Sequence, residues 1–153
     1  MKRGAFLFVL ILGIVVLAAC APKPEEVNAV VNEFWTQWKA GNAAGMVDLL
    51  TDEVSYGLLL PDDLATSIAT SLARLPANRS VPAATLVASL LSTPLPTLAT
   101  FSISSTEAFG EYAIVTCLFT TTAVSATTMQ FIFHLNDTDA GWKINFLGIK
   151  GLS

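Results

Sequence analysis

Residues 101–149 read FSISSTEAFGEYAIVTCLFTTTAVSATTMQFIFHLNDTDAGWKINFLGI, and this stretch decides the fold. Its apolar positions recur every second residue. Phe101 and Ile103 alternate with Thr100, Ser102 and Ser104, and Met129, Phe131, Phe133 and Leu135 form a continuous apolar set. A period of two is the signature of strands with one buried face. Strands are expected from Leu98 onward, over 111–122, over 127–136 and over 142–149. Ser125-Ala126 marks a turn, and Asp137-Thr-Asp-Ala-Gly141 is a hairpin loop. Four consecutive strands at hairpin spacing predict an antiparallel sheet.

Upstream the period changes. Val27, Val30, Val31, Phe34, Trp35 and Trp38 fall on one helical stripe, which predicts a helix over 24–40. Pro24 suits the first turn, and Glu25 and Glu26 favour the positive end of the helix dipole. Gly41-Asn42 ends that helix and caps a second one over 43–50. Val54–Leu60 reads as a first strand interrupted by Gly57. A helical insert follows at about 61–96. It comprises a helix from Pro61 to Leu75, a loop over 76–82 and a helix over 81–91. Helices first and strands last predict an α+β fold, with helices packed on one face of the sheet.

The beginning of the chain carries an address. Lys2 and Arg3 precede a run, Ala5–Ala19, that is almost wholly apolar and shorter than the ~20 residues a spanning helix needs. Leu17-Ala18-Ala19-Cys20 resembles the lipobox of bacterial lipoprotein precursors. That resemblance implies a signal peptide over 1–19 and a lipid on the Cys20 sulfur. A short tether over 20–24 and one domain over 25–153 then follow. The mature chain would carry six Lys and Arg against twelve Asp and Glu, a net charge of −6. Ala21 resembles an outer-membrane sorting context where a second membrane exists; otherwise the outer face of the cell membrane is implied. Nucleic acid is an unsuitable partner for so acidic a chain. One His and two Cys give little for a metal site, and no cofactor is expected.

The string Phe34-Trp-Thr-Gln-Trp-Lys-Ala-Gly-Asn-Ala-Ala-Gly-Met-Val-Asp-Leu-Leu-Thr-Asp-Glu-Val54 resembles the opening of the nuclear transport factor 2-like superfamily, whose fold is cystatin-like. The ending at Gly141-Trp142-Lys143-Ile144 fits as well. The resemblance implies a cone in which helices wrap a bent sheet around an apolar pocket. The superfamily includes ketosteroid isomerases, cyclases, dehydratases and non-catalytic modules. Isomerase chemistry needs a general base in an apolar cavity and donors aimed at an oxyanion. Laid over Ala40-Gly41-Asn42, the isomerase Tyr falls on Phe34 and the Asp on Leu58, and Leu59 and Leu60 are equally inert.

Other ionisable residues read as structural. Asp48 suits a solvated helix face, and Asp52 and Glu53 a turn. Cys117 lies in an apolar strand pattern and reads as a buried, inert thiol. His134 shares its side with Ile132 and Asn136, which is the polar side of the sheet. Asp137 and Asp139 are too few for a calcium loop. Phe34, Trp38, Tyr56, Phe131 and Trp142 are the expected pocket lining.

The functional expectation is a lipid-anchored, non-catalytic cell-envelope protein. It would bind a small apolar ligand or a partner protein in or on the cone. One alternative is a cyclase, dehydratase or isomerase using a pocket Asp, Tyr or His. Another is a structural homodimer paired through the sheet face that carries Thr100, Ser102, Thr116 and Thr120.

Overall fold

The computed structural model describes residues 23–59, 80–92, 95, 99–121 and 127–151. Helix α1 spans Pro24–Ala40 and α2 spans Ala43–Asp48. Strand β1 (Leu50–Leu59) follows, then β2 (Ser80–Pro82) and helix α3 (Ala83–Leu91). The chain closes with β3 (Thr100–Phe109), β4 (Tyr112–Thr121), β5 (Thr127–Thr138) and β6 (Gly141–Gly151). The architecture is α+β, with helices packed on a curved six-stranded sheet of order β2-β1-β6-β5-β4-β3. The expected signal peptide, Cys20 and the helix over 61–75 lie outside the described residues. None of the described helices is long and apolar enough to cross a membrane.

Helix α1 forms where the stripe predicts it. Val27, Val31, Phe34 and Trp38 are buried, at spacings of one turn or two. Gly41 ends it in the left-handed region, at φ 67°, where its N–H returns to the last turn. Asn42 Oδ1 then accepts from Gly45 N at 3.2 Å and starts α2. This second helix stops at Asp48, two residues earlier than expected, because Leu49 and Leu50 are recruited by the sheet. Ile144 N donates to Leu49 O at 2.9 Å, and Leu50 pairs with Ile144.

The four C-terminal strands pair antiparallel, as their hairpin spacing predicts. The sheet as a whole is mixed, because β1 lies parallel to β6. A parallel pair needs a long crossover, so no local turn signal announces it. Ser80–Pro82, expected in a loop, is instead a short edge strand, with Val81 opposite Val54. Pro82 is tolerated there because an edge strand can lack one donor. The expected fourth helix begins two residues later than its pattern suggested, at Ala83. Irregularities interrupt β1 between Leu50 and Ser55, β3 between Ile103 and Ser105, and β6 around Asn145. Bulges of this kind bend a strand and increase its twist, which curls the sheet around the helices.

The inner face of the sheet holds the core. Ala113, Val115, Cys117 and Phe119 come from β4 and Met129, Phe131, Phe133 and Leu135 from β5. Ile144, Leu147 and Ile149 of β6 complete it. Leu86, Val87 and Leu90 of α3 pack into the same cluster.

Candidate functional site

The inner face and α1 together build an aromatic cluster. Phe34 meets Trp38 edge-on at 6.2 Å and Phe133 at 5.8 Å. Trp38 meets Phe131 at 6.0 Å, and Phe131 meets Phe119 at 5.5 Å. Trp35 stacks on Phe101 at 4.6 Å and touches Phe119 and Trp38 edge-on. The edge-to-face geometry places ring edges against π faces, which adds stabilisation beyond simple burial.

One polar atom in this cluster lacks a partner. Trp38 is 3% exposed, and its Nε1–H finds no acceptor among the described residues. Buried indole N–H groups usually find an acceptor, and one left bare costs about 1–3 kcal/mol.

Of the five expected lining residues, the fold joins Phe34, Trp38 and Phe131. Trp142 is buried but sits apart from them. It pairs with Asp137, six residues along β5 from Phe131, about 20 Å at strand rise. Tyr56 is also buried on the inner side. It pairs with Leu147, which pairs with Phe133, so it stands two strands from the cluster, about 10 Å away. Trp35, Phe101, Phe119 and Phe133 belong to the cluster although they were not among the expected lining. Their signal was present, because each lies on the apolar stripe of its own element.

Among the described residues, the carboxylates are all exposed and lie outside this buried cluster. Asp48 is exposed, and its carbonyl accepts from Lys143 Nζ. Asp52 and Glu53 are exposed too, but they lie within β1, with Glu53 opposite Pro82, and not in the expected turn. Cys117 is buried, and desolvation pushes its thiol up to about 12. No three His, Cys, Asp or Glu among the described residues are grouped so as to hold a metal ion.

His134 takes the outer face, where the alternation of β5 puts it. Its Nδ1 lies 2.7 Å from Tyr112 Oη, and its ring packs against Phe146 at 4.5 Å. Burial lowers the His134 pKa and raises that of Tyr112. Desolvation thus favours the neutral imidazole, and its tautomer sets whether the phenol donates to Nδ1 or Nδ1–H donates to the phenol oxygen. The sequence did not reveal Tyr112 or Phe146 as its neighbours. Tyr112 reaches it diagonally, from opposite Asn136. Phe146 faces outward only because Asn145 is an extra residue in β6, which flips the strand's alternation. The outer face is consequently less polar than expected. Thr100, Ser102, Thr116 and Thr120 share it with Ile114, Leu118, Ile132 and Phe146.

No protein-family model and no curated protein matches the sequence. Solved structures do match the fold. A ketosteroid isomerase-like protein from Erwinia carotovora atroseptica superposes with TM-score 0.58 at 15% identity, covering 84% of this chain and 95% of that one. A dehydratase candidate of the nuclear transport factor 2-like family from Streptomyces avermitilis gives TM-score 0.58 at 13% identity, with 84% and 95% covered. A nuclear transport factor 2-like protein with a cystatin-like fold, from Novosphingobium aromaticivorans, gives 0.58 at 12% identity, with 94% and 88% covered. The chain has this fold. At such identities the likeness speaks of architecture alone, because one fold hosts many functions.

Proposed function

We propose that this protein is a lipid-anchored component of the bacterial cell envelope. Its cone binds a small, mostly apolar ligand beside Trp38, without catalysis. The observation that carries the binding part is the orphaned Trp38 Nε1–H. An apolar molecule with one carbonyl or hydroxyl oxygen would satisfy that donor while burying its body against Phe34 and Phe131. Few convergent polar groups in an apolar lining is the usual make-up of a small-molecule site.

The non-catalytic part draws support from the placement of acids and bases. Asp48 faces solvent and His134 lies on the far side of the sheet, so neither is near Trp38. A cyclase, dehydratase or isomerase reading would need a base within hydrogen-bond reach of the bound molecule. The anchor rests on the Leu17-Ala18-Ala19-Cys20 motif behind its short apolar run.

The test uses full-length protein made in a lipidating host. Mass spectrometry should show a diacylglyceryl group on Cys20. Prodan, a naphthalene ketone whose emission reports polarity, should then bind saturably with a blue shift. Trp38→Phe keeps the ring and removes the donor, and should weaken binding about fivefold to tenfold, as expected for one hydrogen bond. Absence of saturable binding to the native protein, or equal affinity in Trp38→Phe, would count against the ligand reading.

A further inference from the structure

We propose that the tip of the β3–β4 hairpin, led by Phe109, inserts into the membrane surface beside the anchor. This rests on the lipid at Cys20 proposed above. Phe109 is 60% exposed and is the one large exposed apolar side chain among the described residues. It ends β3, and Gly110, at φ 60°, begins the turn into β4.

Two contacts fix where that tip points. Near the start of α1, Thr106 Oγ1 donates to Asn28 Oδ1 at 2.6 Å. Further along, Trp35 stacks on Phe101. As α1 advances, its partners on β3 therefore recede, and the two elements run antiparallel. Going backward from Asn28, Lys23 lies about 7.5 Å along the helix axis. Going forward from Thr106, Phe109 lies about 10 Å along the strand. Both displacements point the same way, so the start of the domain and the hairpin tip form one end of the molecule.

The chain outside the structure then sets the distance to the bilayer. Two residues, Ala21 and Pro22, separate Cys20 from Lys23, and the three Cα–Cα steps span at most ~11 Å. A lipid held at the interface by Cys20 brings this end of the domain to the lipid surface. Phe109 then meets the headgroup region, where an aromatic ring is favoured.

Carboxylates limit the contact. Glu25, Glu26, Glu107, Glu111, Asp137 and Asp139 are all exposed near this end. They favour water and are repelled by anionic headgroups. The occupant is therefore a zwitterionic lipid surface, entered by the ring and little else.

The experiment uses the acylated full-length protein on phosphatidylcholine vesicles. A nitroxide is attached through Glu111→Cys, at the tip and with Phe109 left in place, and Thr100→Cys at the far end of β3 is the reference. Cys117 is buried and Cys20 is acylated, so neither competes for the label. Power saturation compares access of oxygen with that of a nickel chelate. A ratio several-fold higher at position 111 than at position 100 is the expected result. Equal ratios, with the protein still on the vesicles, would overturn the insertion and leave the anchor standing. A chain with no acyl mass that leaves the vesicles would overturn both.

Discussion

His134 shows how one side chain can make stability depend on pH. It is the only histidine in the chain, and its ring sits between Tyr112 and Phe146 on the outer face. Glu107 shares its row, through Ile114, two strands away at about 10 Å. Burial lowers the His134 pKa below its ordinary 6.5 in the folded chain. The unfolded chain then binds more protons than the folded one across that window, so stability rises with pH through it. The contribution is complete above about pH 7 and is lost as pH falls through 6.5 toward the lowered folded value. Thermal melts of the native protein should therefore show a lower midpoint at pH 5.5 than at pH 7.5. His134→Gln should flatten that difference while leaving carboxylate effects below pH 5 in place. An identical slope in His134→Gln would show that other groups carry it. The side chain of Cys117 illustrates the complementary case: a thiol raised to about 12 by burial is a small apolar core residue, with no thiolate at neutral pH.

Among the elements, α1 and β3 are held together by a polar contact as well as by rings. Thr106 Oγ1 to Asn28 Oδ1 is a short bond at a half-buried site near the edge of the sheet. Thr106→Val keeps the shape and removes the donor. The expected cost is about 1 kcal/mol, read as a lower urea midpoint with an unchanged slope. An unmoved midpoint would mean that Trp35 on Phe101 and the core hold the helix without it. The elements themselves were largely legible. The stripe from Val27 to Trp38 and the alternation from Phe101 to Ile149 each state a period that physics allows only one element to satisfy. What escaped was non-local. The parallel pairing of β1 with β6 joins Leu50 to Ile144, far apart in sequence, with no turn between them to read. Val81 has strand character only because Val54 lies opposite it. Asn145 inverts the side of Phe146 through a bulge that leaves no compositional mark. The candidate site was half legible for the same reason. Phe34, Trp38 and Phe131 lie on clear apolar faces, whereas Trp142 could be separated from them only by knowing the register.

At the scale of the whole molecule, charge and lipid act in opposite senses. The mature chain proposed here has a net charge of −6, and an anionic leaflet repels it. Each buried methylene of an acyl chain adds about 0.8 kcal/mol to membrane affinity, and two chains suffice for stable anchoring. Attachment should therefore be driven by the lipid and be indifferent to electrostatic attraction. In sedimentation with vesicles, the acylated protein should remain bound when salt is raised from 0.1 M to 1 M, since screening removes only repulsion. Added phosphatidylglycerol should not strengthen binding. Cys20→Ala should move the protein to the supernatant under both conditions, because Phe109 alone supplies far less buried apolar area than two acyl chains. Release of the acylated protein by high salt would point instead to a basic surface holding it. The described surface offers little for that role: Lys23, Lys39, Lys143 and Lys150 are its only basic side chains, set among more numerous carboxylates.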